Sequence, residues 1–212
     1  MMLSTANIVV VGQAGQGTIL VSKILVTALH RSGRRVLATE YPAITHRYAI
    51  TSAHIRSGEG VISPRIRPRQ ASAVLGLEPF ETLRAGLLLA HPDTVVVTND
   101  TFIRVEGEPN HLLKDPIAVE AVNDVVDAFA QRGIGRVVPI AASRIALDVI
   151  KHRAGANMVL LGAVFASGCL PLERDMLEEV IIELAPRDTG PRNRDGFRAG
   201  IDAYAAVAGG AG

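Results

Sequence analysis

Residues 7–17 read Asn-Ile-Val-Val-Val-Gly-Gln-Ala-Gly-Gln-Gly, and this stretch decides the fold. Residues 7–11 are a short β-branched run without polar alternation, which is typical of a strand buried on both faces of a sheet. After the glycine turn, residues 18–31 place apolar side chains at helical spacing, and Gly33 ends the helix. The run at 35–39 predicts a second buried strand. The unit is strand–loop–helix–strand, and we expect its crossover to be right-handed.

Strands and helices alternate along the rest of the chain. Apolar runs predict strands at residues 48–56, 74–77, 95–98 and 136–140. Helical patterns predict one helix that begins at Pro79 and another that ends at Arg153. Three further helices are predicted at residues 117–131, 158–166 and 173–184. This alternation indicates an α/β fold with an open, mostly parallel, Rossmann-like sheet flanked by helices. We expect one domain over residues 1–208 and a disordered tail over 209–212.

The composition excludes several classes of function. The 22 basic and 21 acidic residues give a net charge of +1, and five Phe, three Tyr and no Trp leave little aromatic surface, so binding to nucleic acid is disfavoured. No apolar run reaches the roughly 18 residues that a membrane span needs, and no leader segment is present, so we expect a cytoplasmic protein without a membrane partner. One cysteine, Cys169, excludes an internal disulfide, a four-thiolate cluster and a structural zinc site, and we predict no metal ligands.

The glycine loop between a buried strand and a helix predicts an anion site, because backbone N–H groups and the helix dipole meet there. A P-loop is excluded because Thr18 occupies the lysine position. A dinucleotide fingerprint fits in part: Gly12 and Gly17 match, Glu40 stands where a ribose-binding acid is expected, and Ala14 replaces the middle glycine. A tight turn that binds nothing is a further interpretation.

Several stretches, in order, resemble the gamma subunit of the 2-oxoacid:ferredoxin oxidoreductases. Residues 12–17 match the family's G-x-G-G-Q-G except at Ala14, and Arg47, His54 and Arg56 match the motifs G-M-S-Q-R-G-G and S-H-V-R-x-G. Residues 75–79, 157–163 and 170–172 resemble three later family segments. The middle motif departs from the family at residues 43, 46, 48 and 49, so its contacts transfer least. The nearest subfamily in appearance handles indolepyruvate and other aryl 2-oxoacids.

The resemblance implies a subunit of a complex that decarboxylates a 2-oxoacid oxidatively to acyl-CoA. Thiamine diphosphate, Mg and [4Fe–4S] clusters would lie on partners, namely thiamine-diphosphate-binding alpha and beta subunits and a ferredoxin-like iron–sulfur subunit or domain. Electrons would end on ferredoxin or reach NAD through an additional flavoprotein. Pyruvate, 2-oxoglutarate and branched-chain oxoacids remain as alternative substrates.

This chain would help to cover the active site and to bind coenzyme A, and it would supply no catalytic residue. The residues expected to bind coenzyme A are Gly12, Gln13, Gly15, Gln16, Gly17, Thr45 and Arg47. His46 is an alternative to Thr45 for a short contact, and a surface or interface role is the alternative for Arg47.

Four other residue sets have structural interpretations beside functional ones. We interpret His54 as a hydrogen-bonded structural residue, with proton transfer as the alternative. Residues 65–69, with three alternating arginines, are interpreted as a solvated loop or edge, with partner docking as the alternative. Asn157 is a helix N-cap or a ligand contact, and Glu78 is expected to accept from a facing loop donor.

Two functions from other classes stay open on the sequence alone. One is a free-standing oxidoreductase that binds NAD through Gly12, Gly17 and Glu40. The other is a regulatory nucleotide-binding module without chemistry of its own.

Overall fold

The computed structural model describes residues 5–41, 50–102, 121–134 and 136–209. In these ranges the strands are β1 (Ala6–Gln13), β2 (Val36–Tyr41), β3 (Ile50–Ser57), β4 (Ala73–Gly76), β5 (Val95–Asn99) and β6 (Val137–Ile140). The helices are α1 (Thr18–Arg31), α2 (Pro79–Leu89), α3 (Val122–Ala130), α4 (Ala142–Val149), α5 (Ala156–Ala166), α6 (Arg174–Leu184) and α7 (Gly190–Gly209), with 3-10 turns at Arg153–Gly155 and Arg187–Thr189.

The strands form one sheet in the order β2-β3-β1-β4-β5-β6. β1, β4, β5 and β6 are parallel to one another, whereas β3 runs antiparallel to both of its neighbours, β1 and β2. The predicted open, mostly parallel α/β sheet is therefore confirmed. The prediction that residues 35–39 form a buried strand is wrong, because β3 separates β2 from β1 and leaves β2 half-exposed at the edge of the sheet.

Each face of the sheet has its own core, as the two-residue period of a strand requires. Ile8 and Val10 of β1 pack in one core with residues of α1 and of α4 to α7. Val9 and Val11 point to the other face and pack with residues of α2 and α3. In β3, Ala53 and Ile55 join the first core, so the predicted separation of its two faces is confirmed.

Glycines let α5 and α7 pack with their backbones in contact. A β-carbon on Gly162 of α5 would collide with the carbonyl oxygen of Phe197, and one on Gly200 of α7 would collide with that of Val159. This pair of helices fills the centre of the larger core. The predicted helix at 158–166 corresponds to α5, whereas no predicted helix corresponds to α7.

Several predicted boundaries change. α4 ends at Val149, before the predicted end at Arg153. α3 begins at Val122, and residues 103–120, which include the predicted start of this helix, lie outside the described residues. Gly209 is the last residue of α7, and the rest of the predicted tail lies outside the description. None of the helices described here is both long and apolar enough to span a membrane.

Candidate functional site

The glycine loop lies at the carboxyl end of β1, where the chain connections diverge. From β1 the chain enters α1 and then β2 on one side of the sheet, whereas from the neighbouring β4 it enters α2 and then β5 on the other. Ligands in open α/β sheets bind in the crevice at such a switch point. The loop therefore lies at the position where ligands bind in folds of this kind.

The loop has the backbone conformation that only glycine adopts easily. Gly15 and Gly17 have φ angles of +91° and +90°. Gly15 is exposed, and a β-carbon there would meet nothing within 4 Å. Gly17 is the N-cap of α1 and has no side-chain cap. Within the described part of the chain, the N–H groups of Gly15 and Gly17 have no hydrogen-bond acceptor. They are free to bind an anion at the positive end of α1.

Gln16 holds the loop in shape from within. Its Oε1 accepts from the backbone N–H of Gln13 at 2.6 Å, and its Nε2 donates to the carbonyl oxygen of Leu77 at 3.2 Å. Gly12 makes room for this arrangement, since a β-carbon there would be 2.6 Å from Oε1 of Gln16. Only the second hydrogen of Nε2 remains for a ligand. The side chain of Gln16 thus connects the loop to the end of β4.

Asn157 contacts the loop from the other side. Its side-chain amide lies so close to Gly17 that a β-carbon there would collide with Nδ2. The N-cap interpretation of Asn157 is wrong, because Gly155 is the N-cap residue of α5 and Asn157 lies inside the first turn. The contacts of Asn157 with Gly17 and of Gln16 with Leu77 cannot be predicted from the sequence, because the partners are distant along the chain.

A second amide, Asn99, extends this connection along the carboxyl edge of the sheet. Its Nδ2 donates to Oγ of Ser143 at 2.9 Å, and it lies 3.4 Å from the Leu77 carbonyl oxygen. Its Oδ1 accepts from the backbone N–H of Ser143 at 3.3 Å. The ends of β4 and β5 and the start of α4 are thereby fixed beside the loop. The sequence gives no signal for this role of Asn99 beyond its position at the end of a predicted strand.

The other predicted residues have different surroundings. Thr45, His46 and Arg47 lie outside the described residues. Arg56 donates from Nε to Oδ1 of Asn7 at 2.9 Å and ties β3 to β1. Glu78 caps α2, since its Oε2 accepts from the backbone N–H of Glu81 at 2.8 Å.

His54 is hydrogen-bonded, in agreement with its structural interpretation. Its Nδ1 accepts from the backbone N–H of Ile66 at 3.2 Å. Burial, together with the positive charge of Arg65, lowers the pKa of the imidazole below its ordinary value. The ring is therefore neutral at pH 7 and carries its proton on Nε2.

Glu40 does not lie where a dinucleotide site needs an acid. It is on β2, and β3 lies between β2 and β1. Two strand spacings, roughly 10 Å in all, therefore separate its strand from the strand that leads into the glycine loop. Ala14 also replaces the glycine that lets a pyrophosphate approach the loop closely. The position of Glu40 and the identity of Ala14 together disfavour an NAD site.

Comparison with known proteins gives a consistent family. The model of the family described as pyruvate ferredoxin/flavodoxin oxidoreductase matches residues 7–203. The indolepyruvate oxidoreductase subunit IorB of Methanothermobacter thermautotrophicus is 31% identical over 199 residues, which are 94% of this chain and 97% of that protein.

Two solved structures share the fold. One is the gamma subunit of a keto/oxoacid ferredoxin oxidoreductase from Geobacter sulfurreducens, with a TM-score of 0.66, 18% identity and coverage of 95% of this chain and 99% of that one. The other is a 2-oxoglutarate:ferredoxin oxidoreductase from Magnetococcus marinus with 2-oxoglutarate, coenzyme A and succinyl-CoA bound, with a TM-score of 0.67, 18% identity and coverage of 97% of this chain and 32% of the other. The match over residues 7–203 shows that the chain belongs to the pyruvate ferredoxin/flavodoxin oxidoreductase family, and the chain has the fold of the gamma subunit from G. sulfurreducens.

Proposed function

We propose that this chain is the gamma-type subunit of a thiamine-diphosphate-dependent complex that converts an aryl 2-oxoacid, such as indolepyruvate, to the acyl-CoA and reduces ferredoxin. The relative from M. thermautotrophicus, which matches nearly its whole length to this chain, is named for indolepyruvate. The observation that carries the role of this subunit is the glycine loop at the switch point of the sheet, where the N–H groups of Gly15 and Gly17 have no acceptor among the described residues.

The redox cofactors do not fit the residues of this chain. A [4Fe–4S] cluster needs four thiolates, and the chain has only Cys169. In the described part of the chain, no three of the residues His, Cys, Asp and Glu are grouped as metal ligands. We therefore assign the clusters, Mg and thiamine diphosphate to partner subunits, and the electron transfer with them.

The contribution of this chain is to bind and orient a phosphate of coenzyme A. The N–H groups of Gly15 and Gly17 donate to phosphate oxygens, and the dipole of α1 adds to the attraction. Gln16 keeps these N–H groups in place through Gln13 and Leu77. Thr45 and Arg47 are proposed to complete the contact with a hydroxyl and a guanidinium group.

The test changes the charge at the loop without changing its conformation. In the assembled complex, Gly15→Asp places a carboxylate beside the bound phosphate, and Gly15→Asn is the matched control with the same shape and a similar tolerance for positive φ. We expect Gly15→Asp to raise the KM for coenzyme A by about tenfold or more over Gly15→Asn, because one such repulsion costs on the order of 1.4 kcal/mol. The KM for the 2-oxoacid should stay the same in both variants.

Equal KM values for coenzyme A in Gly15→Asp and Gly15→Asn would contradict the role of the loop. A parallel rise in the KM for the 2-oxoacid would place the effect elsewhere in the active site. Steady-state assays give the KM for coenzyme A when coenzyme A is varied at saturating 2-oxoacid and ferredoxin, and the KM for the 2-oxoacid when the 2-oxoacid is varied at saturating coenzyme A and ferredoxin.

A further inference from the structure

A cavity lies on the face of the sheet opposite to α1, between α2, β3 and the segment that contains residues 65–68. Its volume is about 360 Å³, which is at the lower end of the range for small-molecule sites. The residues that decide its chemistry are Val9, Val11, His54, Arg65, Ile66 and Arg84. The glycine loop leads into α1 on the other face, and none of its residues 12–17 is among the described residues that line the cavity.

The walls of the cavity are apolar at depth. Val9 and Val11 of β1 and Ile66 are buried, with exposures of 0%, 2% and 2%. Leu89 of α2 lines the cavity beside them. These side chains favour an apolar body, because its transfer from water is driven by the hydrophobic effect.

Among the described residues, His54 and Arg65 on the cavity lining have donors without an acceptor, and Arg84 pairs with Glu81 but keeps a buried Nε that makes no hydrogen bond. Nε2 of His54 carries the proton of the neutral ring, since Nδ1 accepts from Ile66, and among the described residues this N–H has no recorded acceptor. The guanidinium group of Arg65 takes part in none of the ion pairs between described residues, in which the acidic side chains pair with other residues. Nε of Arg84 is buried without a hydrogen bond, although it lies 3.5 Å from Oε2 of Glu81.

The charges on the described lining residues leave a surplus of one positive charge. Arg65 and Arg84 are positive, Glu81 is the acidic residue among the described lining residues, and His54 is neutral. One carboxylate balances this charge, and its two oxygens match the planar donors of a guanidinium group. A doubly charged phosphate would exceed the surplus and would find apolar walls around it.

We propose that this cavity binds a small monocarboxylate with an aromatic or branched aliphatic body, with the carboxylate at Arg65 and Arg84 and the body against Val9, Val11 and Ile66. His54 donates from Nε2 to the ligand and is fixed by Ile66. The site is additional to the coenzyme A site at the glycine loop and does not depend on it.

The test is titration calorimetry on the full 212-residue chain with phenylacetate as the probe. Phenylacetamide, which has the same shape without the charge, should bind at least about tenfold more weakly than phenylacetate. Acetate, which lacks the ring, should also bind at least about tenfold more weakly than phenylacetate. Arg65→Gln should weaken the binding of phenylacetate by a similar factor. Arg67→Gln is the matched control, because Arg67 is exposed on the same segment and does not line the cavity.

A second variant tests the apolar wall. Ala85 lines the cavity from α2, and Ala85→Leu should reduce the affinity for phenylacetate by filling the space while leaving both arginines in place. Thermal unfolding of each variant shows whether the fold is retained, and Arg65→Gln, at an exposed residue, is the variant expected to retain it.

Three results would overturn the proposal. The first is no saturable binding of phenylacetate, and the second is equal binding in Arg65→Gln and Arg67→Gln. The third is a combined result: inorganic phosphate displaces phenylacetate, and Gly15→Asp no longer binds phenylacetate. That result would place phenylacetate at the glycine loop.

Discussion

Gly17 combines two requirements in one residue. Its φ of +90° lies in the region that disfavours side chains, and the amide of Asn157 occupies the space that a β-carbon would take. The first requirement belongs to the turn, and the second belongs to the contact between α1 and α5. The two can be separated by experiment.

Gly17→Ala should lower the free energy of unfolding by about 2–4 kcal/mol, of which about 1–2 kcal/mol is backbone strain and the rest is overpacking. In an Asn157→Ala background, where Nδ2 is absent, the same change should cost only the strain. Urea unfolding of the four proteins gives the coupling energy, which we expect to be about 1–2 kcal/mol. Strict additivity would show that Asn157 does not restrict Gly17.

At the level of elements, Glu178 joins α6 to α7. It accepts from Nε of Arg174 at 2.8 Å within α6 and from Nε of Arg198 of α7 at 2.9 Å. The hydrogen bonds from Arg198, together with the charges of both arginines, lower the pKa of the carboxyl from 4.5 to about 2. Because the folded state holds the ionised form, this stabilisation is complete above pH 4.5 and is lost as the pH falls towards 2.

Glu178→Gln should therefore unfold at a lower urea concentration than the wild type at pH 7, and the difference should shrink between pH 4.5 and the acid limit of folding. Glu183→Gln is the control, since Glu183 pairs with Arg31 at the surface, where both side chains are well exposed. It should have a smaller effect. A gap between Glu178→Gln and the wild type that is independent of pH would exclude the ionised carboxyl as its cause.

The elements differ in how well the sequence predicts them. β1 and α1 follow from a continuous apolar run, a glycine loop and helical spacing, all of which are local signals. α7 could not be predicted in this way, because its glycines and arginines give little apolar periodicity. Gly200 leaves room for the backbone of α5 against α7, so the requirement for glycine comes from a neighbouring helix and not from α7 itself.

The same distinction applies to the site. The loop and its two glycines of positive φ are predictable from the spacing of residues 12–17. The contacts of Gln16 with Leu77 and of Gly17 with Asn157 are not, since they join residues 61 and 140 positions apart in the sequence. The place of β3 also escapes prediction, because alternation shows which face of a strand is buried but not which strand lies beside it.

At the scale of the whole molecule, both proposed binding sites lie on a chain whose single cysteine cannot hold an iron–sulfur cluster. We predict that a tag on this chain, expressed with its natural partners, brings down a complex that contains thiamine diphosphate and iron, whereas the chain expressed alone contains neither. Cofactor extraction and metal analysis of the two samples measure this directly. Turnover of NAD by the chain alone would contradict both the proposed function and the geometry of Glu40.

The internal hydrogen bonds of Gln16 bear on how the complex turns over. A loop that is already ordered loses little conformational entropy when a ligand arrives, so at the proposed coenzyme A site the contacts of the two glycine amides would contribute almost fully to affinity. For the same reason, departure of the acyl-CoA from the proposed site would require no unfolding of this segment. The rate of product release is then set by contacts that break and not by a loop that must open, and it should vary little with solvent viscosity.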